Sequence, residues 1–559
     1  MPVNSPIFDP KFFSTIKNFN QKTFLSDLSS GIIVGIVALP LAIAFAIASG
    51  VPPQTGLITA VFAGFLISFL GGSKVQIGGP SGALVVVIFG VASTHGMDGV
   101  IIASIMAGIM LVGMGLLRAG TVIQFMPYPI VIGFTSGIAL IIFTSQIQEL
   151  LGISGEDVPV EMMDKWRFYF QNLEQVNYTA LGIGLFTIIL MLVWPRSLRK
   201  IPGSLVAIIL TTIAVSWYNL PVETIGSKFG VLEGRIPAPS LPGVNFEMLR
   251  ELLIPAFTIA VLVSIESLLS AMVADGATGY RHRPNTELIA NGIGNIVAPI
   301  FGGMAASGAL AKTMTNVRNG GKTPMAGMIH ALVLLILMLS LSELAARIPL
   351  AALAGILVMV AYNMSEWRSF VGLFKNSRGE IAVLLTTFLL TIFLGLNIAL
   401  PFGIILALIL FARRVMETSE LQVLREHVEE DQSYLSDEQE MLGIPKGVEV
   451  YQIKGPFFFG IANKFEEAEL EIKEKPRVRI IRMLRVPFID ATGLRNLRAF
   501  IEKSRRHNTD IILSGVPEKT LEAIKKGGLI CLLGKDNICP DIETSLERAR
   551  IIMREKSKR

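Results

Sequence analysis

From Leu28 to Ala412 the chain is a succession of apolar runs with few charges, far more than one water-soluble core could bury. The runs fall near Leu28–Ala48, Gly56–Leu70, Ser81–Ser93, Gly99–Leu117, Pro129–Leu150, Ala180–Pro195 and Ser204–Trp217. They continue near Leu253–Ala274, Ile289–Phe301, Gly308–Val317, Pro324–Leu341, Leu350–Tyr362, Ile381–Leu396 and Ala399–Ala412, fourteen in all. This predicts an α-helical polytopic membrane protein, because a bilayer core about 30 Å thick admits only chain whose backbone polar groups are satisfied internally. The first run is too long for a cleavable signal.

Composition agrees. Mean hydropathy is +0.59 and charged residues are 17% of the chain, against roughly 25% in soluble domains. The net charge of +5 hides an asymmetry, since 50 of the 93 charged residues lie in Glu417–Arg559. The chain therefore divides into a cytoplasmic N-terminal segment (1–27), a membrane domain (28–416), a charged linker (417–446) and a soluble domain (447–559). In the last part Val448–Ile453, Val478–Leu484 and Asp510–Leu513 read as strands. Phe465–Lys475, Leu494–Arg506, Glu518–Lys526 and Ile542–Met553 read as helices, giving a small α/β domain. Two cysteines, Cys531 and Cys539, and 5 histidines exclude a disulfide scaffold and argue against a metal cluster. The basic pI is accounted for by membrane-facing loops, not by nucleic-acid binding.

If spans alternate, Lys74, Arg118, Arg196, Arg199, Lys200, Arg281, Arg283, Arg318, Lys322, Arg368, Lys375, Arg378, Arg413 and Arg414 share one side. Glu156, Asp157, Glu161, Asp164 and Glu174 share the other. The basic side is cytoplasmic, and an even number of spans places both termini there, in the inner membrane of a bacterial-type cell.

Several runs are too short to cross a bilayer, and interrupted helices in corresponding halves point to a transport site. Two short runs begin just after Gly78-Gly79-Pro80 and Gly302-Gly303. Each contains the same tetrapeptide, Ser81-Gly82-Ala83-Leu84 and Ser307-Gly308-Ala309-Leu310. If both open half-helices that meet near the midplane, their unpaired N–H groups and dipoles form an anion site without a metal. The alternative is close helix packing by small residues.

Two ionisable residues stand inside apolar runs, Glu266 and Lys312, and such residues are functional candidates. Lys312 would add positive charge to the anion site. Glu266 could take a proton or Na⁺, or form a structural ion pair with Lys312. Gly320-Gly321-Lys322-Thr323 looks like the end of a P-loop, but Asn316 stands where a P-loop needs Gly. An ATP-driven pump is not indicated, no enzyme constellation stands out, and no cofactor is expected.

These residues resemble the sulfate permease (SulP) family of anion transporters. The signature is Pro40-Leu41-Ala42-Ile43-Ala44-Phe45-Ala46-Ile47-Ala48-Ser49-Gly50-Val51-Pro52-Pro53-Gln54-Thr55-Gly56-Leu57, joined by Glu266-Ser267-Leu268-Leu269 and Asn316-Val317-Arg318 with the Gly320–Thr323 run. The C-terminal part resembles a STAS domain, with Asp490-Ala491-Thr492-Gly493-Leu494 in its strand-to-helix loop. The chain is similar to the bacterial subgroup that includes dicarboxylate transporters.

The resemblance implies a 7+7 inverted repeat with two half-helices. A core (spans 1–4 and 8–11) would move the anion against a gate (spans 5–7 and 12–14), an elevator-type alternating access. Ser81, Gly82, Ala83, Ser307, Gly308, Ala309 and Lys312 would bind sulfate, bicarbonate or a C4-dicarboxylate. Glu266 would couple transport to H⁺ or Na⁺, with Ser270 matching a hydroxyl ligand of Na⁺-dependent members; Glu in place of Asp favours H⁺. Lys312 replaces a frequent Arg, keeping the cation but losing the bidentate clamp. In the STAS loop Asp490, Thr492 and Gly493 are singled out; Ala491 stands where single-domain STAS proteins carry a phosphorylatable Ser. A homodimer and a cytoplasmic partner of the STAS domain are expected. Two alternatives are a nucleobase permease of the same fold, which Lys312 and the STAS loop oppose, and a regulatory protein that the spans merely anchor.

Overall fold

A computed structural model of the chain describes residues 6–18, 20–123, 126–153, 159, 161–195, 202–230, 234–243, 245–418, 420–424, 443–457 and 476–557. It divides into two compact units, Met1–Ala407 and Leu408–Arg559.

The fourteen apolar runs are helical over most of their described length. We label these helices α1 (Gln21–Ala48), α2 (Pro53–Leu70), α3 (Gly82–Leu116), α4 (Tyr128–Leu151), α6 (Tyr178–Val193), α7 (Gly203–Tyr218), α8 (Leu253–Thr278), α9 (Pro284–Ile300), α10 (Leu310–Arg318), α11 (Met325–Ser340), α12 (Leu350–Met364), α13 (Arg378–Phe393) and α14 (Leu396–Thr418). Helix α3 holds the third and fourth runs, broken at Gly96, whose φ of 63° no ordinary helical residue adopts. A further helix, α5 (Met162–Gln171), fills the connection between α4 and α6. Its mixed polar and aromatic sequence gave no membrane signal.

The ends are set by local chemistry. Asn20 accepts from the Thr23 N–H to cap α1, and Asn177 from the Thr179 and Ala180 N–H groups to cap α6. Gly152 and Gly279 close α4 and α8 in the left-handed conformation. The signature run folds as the end of α1, the turn and the start of α2, with Gly50 at φ 70° and Pro53 opening α2. At Gly56 a Cβ would stand 2.0 Å from the Ala42 carbonyl oxygen, so glycine there sets how closely α1 and α2 approach.

Helices α1, α2, α3, α8, α9, α10 and α11 pack mainly on one another. Helices α4, α6, α12 and α13 form a second group, in which α7 packs on α6 and α12. Gly403 of α14 lies against Thr387 of α13 and Ile130 of α4. Two short strands, β1 (Gly78–Gly79) and β2 (Ser307–Gly308), pair antiparallel inside the first group.

The second unit holds a five-stranded sheet in sequence order, β3 (Glu420–Leu424), β4 (Val448–Lys454), β5 (Val478–Arg485), β6 (Asp510–Ser514) and β7 (Ile538–Cys539). Only β3 runs antiparallel to its neighbour. Alternate residues of β4 and β5 face opposite ways, as the pleat requires. Tyr451, Ile453, Ile481 and Met483 pack with α15 (Ala491–Arg506), α16 (Glu518–Lys526) and α17 (Leu529–Leu533). Val448, Val450, Val478 and Ile480 pack under α18 (Ile542–Ser557). The strand β3 falls inside the stretch expected to be a linker. The expected helix Phe465–Lys475, and Glu156, Asp157, Arg196, Arg199 and Lys200 among the charges used for orientation, lie outside the described residues.

Candidate anion and cation site

The double glycines and tetrapeptides form the junction of the two short helices. Gly78 pairs with Gly308 and Gly79 with Ser307, while the Ala309 N–H donates to the Ile77 carbonyl at 2.9 Å. This ladder holds the N-termini of α3 and α10 together. The helices begin at Gly82 and Leu310, two residues further apart in sequence than the two tetrapeptides. The identical residues are therefore not in structural register. Ser81 is the residue before α3, whereas Ser307 lies in β2.

Glycine is required here. Gly79 has φ 146°, and a Cβ on it would stand 2.8 Å from Nζ of Lys312. A Cβ on Gly82 would meet Met364 Sδ at 3.1 Å, Phe45 Cε1 at 3.5 Å and Ile142 Cδ1 at 3.7 Å. Apolar side chains of α1, α4 and α12 thus wall the start of α3. Neither half-helix has a side-chain cap, since Ala309 precedes α10 and the hydroxyl of Ser81 points elsewhere. Their first N–H groups keep the partial positive charge of a helix N-terminus.

The Ser81 hydroxyl goes to Glu266 of α8. Oε2 of Glu266 accepts from Ser81 Oγ at 2.6 Å and from Ser307 Oγ at 2.5 Å. One carboxylate oxygen therefore touches both halves of the repeat. Lys312, 2% exposed, donates from Nζ to the Pro80 carbonyl at 3.2 Å. The Glu266–Lys312 ion pair left open by the sequence is not formed: no contact within 4.0 Å joins them among the described residues. The reason is geometric. The lysine reaches across to the chain before α3, and the carboxylate is already taken by two serines.

Ser270 is fully buried, but its hydroxyl donates to Thr313 Oγ1 at 3.2 Å, which also accepts from the Ile77 N–H at 3.1 Å. It braces β1 against α10 and is not among the partners of Glu266. Ser307 is buried like Ser81, Gly82, Ala83, Gly308 and Ala309.

Several supporting residues escaped the sequence reading. Ser267 accepts from the Gly308 N–H at 2.8 Å and donates to Asn291 at 2.9 Å. Asn295 accepts from the Ala306 N–H and donates to the Ala306 carbonyl, both at 2.8 Å, imitating a strand partner. The signal was Glu287, Asn291 and Asn295, four residues apart along α9. The P-loop-like run has a different use. Buried Asp27 of α1 accepts from the Lys322 N–H at 2.7 Å, the Thr323 N–H at 3.2 Å and Thr323 Oγ1 at 2.5 Å. The run cradles an internal carboxylate where a P-loop cradles phosphate.

In the second unit Asp490 caps α15, its Oδ1 accepting from the Gly493 N–H at 2.6 Å. A Cβ on Gly493 would press to 2.4 Å from the Phe457 carbonyl oxygen. Thr492 is exposed. Among the described residues no group of three or more His, Cys, Asp or Glu gathers as a metal site.

Comparison with known proteins accounts for this arrangement. The sulfate permease family matches residues 24–387, and the STAS domain matches residues 441–545. The Bacillus subtilis protein YvdB is 37% identical over 94% of this chain and 98% of its own. The bicarbonate transporter BicA of Picosynechococcus sp. is 28% identical over 94% of each. Among solved structures, the transmembrane domain of a cyanobacterial BicA has a TM-score of 0.60 at 30% identity, covering 70% of this chain and 98% of that one. Murine Solute Carrier 26 family member A9, an anion transporter, has a TM-score of 0.87 at 18% identity over 99% and 96%, a likeness of fold. The family match over most of the membrane unit, and a relative more than one-third identical along nearly the whole chain, show that this protein belongs to the sulfate permease family and carries a C-terminal STAS domain.

Proposed function

We propose that this protein is a secondary active transporter of a small anion, sulfate, bicarbonate or a C4-dicarboxylate, working by alternating access. The observation that carries this reading is the junction of α3 and α10. Two uncapped helix N-termini and a buried lysine converge between apolar walls. Helix N-termini and a lysine amine together suit an anion. Ser81, Gly82 and Ala83 would offer one half-helix, Ser307, Gly308 and Ala309 the other. Division of the helices into two groups supports a core that carries the anion past a gate, since Ile142 and Met364 at the site belong to the second group.

Coupling is assigned to Glu266. While ionised it occupies both serine hydroxyls as acceptor. A proton on the carboxyl removes an acceptor site and frees a serine hydroxyl to donate to the anion. The oxygens of Glu266, Ser81 and Ser307 could serve Na⁺ in the same way, with Ser270 as a brace. The protein would work as a homodimer in the inner membrane, both termini cytoplasmic, its STAS domain offering a surface to a cytoplasmic partner.

The test is uptake of radiolabelled sulfate, bicarbonate and succinate by proteoliposomes, each with and without an imposed pH or Na⁺ gradient. Accumulation of one anion that follows one gradient supports the reading; no uptake of any of them removes it.

A further inference from the structure

A second buried lysine lies in the membrane unit, away from the junction of the half-helix N-termini. Lys165 of α5 is only 8% exposed, and its ammonium has no hydrogen-bond or ion-pair acceptor among the described residues. Its neighbour is the face of Phe89, with Nζ 5.3 Å from the ring centroid. A buried cation without a counter-charge is costly. Glu161, the residue before α5, is exposed at the rim and is not within ion-pair distance.

Lys165 lines a cavity of about 380 Å³ together with Ala48, Phe89, Ile142, Ser145, Glu161 and Gly395. These residues share one end of the unit. Ala48 ends α1, Gly395 follows the end of α13, Ser145 stands in the last turns of α4, and Phe89 is near the break in α3. By alternation of spans this is the end opposite to the start of α1. The walls are otherwise mostly apolar; the charged side chains that line it are Lys165, buried, and Glu161, exposed at the rim.

The inner limit of the cavity is informative. Ile142 lines it, and the same side chain comes within 3.7 Å of the position a Cβ on Gly82 would take. Ile142 therefore borders both this space and the first residue of α3. Withdrawal from water already holds the Lys165 amine below the ordinary lysine range; a bound anion would oppose that.

We propose that this cavity is an outer loading site for the transported anion, with Lys165 supplying the charge and Ile142 acting as the apolar stop before the half-helices. The proposal rests on the anion-transport reading and adds a binding step ahead of it. Lys165 attracts the anion into the cavity, and movement of α4 relative to α3 would take Ile142 out of its path. The anion then exchanges one lysine for another, Lys165 for Lys312.

The experiment uses the full chain and a Lys165→Cys variant, with the exposed native Cys531 changed to Ser in both. Uptake of whichever of sulfate, bicarbonate or succinate the unaltered chain carries is measured from each face of the membrane. Lys165→Cys is expected to raise the half-saturating concentration about tenfold from the face opposite to the start of α1. Half-saturation from the other face and the maximum rate stay near their original values. A cationic methanethiosulfonate that restores an ammonium at position 165 brings the affinity back; an anionic one does not. Unchanged half-saturation, an equal change from both faces, or equal effects of the two reagents would overturn the proposal. An unaltered chain that carries none of the three anions would instead overturn the transport reading itself.

Discussion

Replacing Gly79 by alanine tests the geometry of the junction with a single methyl group. Gly79 sits at φ 146°, a conformation that costs a residue with a side chain roughly 1–3 kcal/mol. Its new Cβ would stand 2.8 Å from Lys312 Nζ, where ordinary contact begins near 3.4 Å. The ammonium must retreat, and it also leaves the Pro80 carbonyl, now 3.2 Å away. Moving a unit charge from about 4.0 to about 4.6 Å from a bound anion, at an effective dielectric near 20, weakens attraction by roughly 0.5 kcal/mol. That is about a two- to threefold loss of affinity. Gly79→Ala should therefore lower thermal stability and raise the half-saturating anion concentration two- to threefold. Gly78→Ala is the control. Its Cβ would press on Ile67, 2.6 Å away, and not on the lysine, so it should destabilise without altering half-saturation. Thermal inactivation of the purified proteins and uptake in proteoliposomes read the two effects. If Gly79→Ala leaves affinity unchanged, Lys312 does not set the field at the anion.

Glu266→Gln keeps the shape of the protonated acid and should uncouple uptake from the driving gradient while still allowing anion exchange; uptake that still tracks pH or Na⁺ would release Glu266 from that role. Asp27→Ala leaves one buried N–H, one part-buried N–H and one buried hydroxyl without their acceptor and should cost about 3 kcal/mol or more, seen as faster thermal inactivation with half-saturation of the surviving protein unchanged. Deleting Gly447–Arg559 removes no residue of the α3–α10 junction, so binding of labelled anion to the purified, monodisperse truncation should match the full chain, and lost binding would place part of the site in the STAS domain.

What the sequence revealed depended on the range of the interaction. Apolar runs gave the helices because burial in a bilayer is decided residue by residue along each run. The double glycines and short runs located the half-helices, since a positive φ and a close approach leave few other choices at Gly79. The partners of Glu266 were not legible. Ser81 and Ser307 lie 185 and 41 residues from it, and an ion pair with Lys312 looked equally available. Asp27 and Thr323 meet across 296 residues, so the glycine-rich run resembled a nucleotide loop until its carboxylate was in view. The strand β3 was hidden because it is an edge strand in a highly charged stretch, recognisable only beside β4. Helix α5 was missed for another reason: its ten residues include Asp164, Lys165 and Arg167 and are too few to cross a bilayer.

The central claim is that the anion is held where the N-termini of α3 and α10 meet, under the charge of Lys312. Equilibrium binding of radiolabelled anion to purified Lys312→Ala and Lys312→Arg, beside the unaltered protein, tests it most directly. One buried cation within reach of an anion should be worth at least tenfold in affinity. Lys312→Ala should therefore bind at least tenfold more weakly, and Lys312→Arg should fall between it and the unaltered protein. Unchanged affinity in Lys312→Ala would place the anion elsewhere and contradict the account.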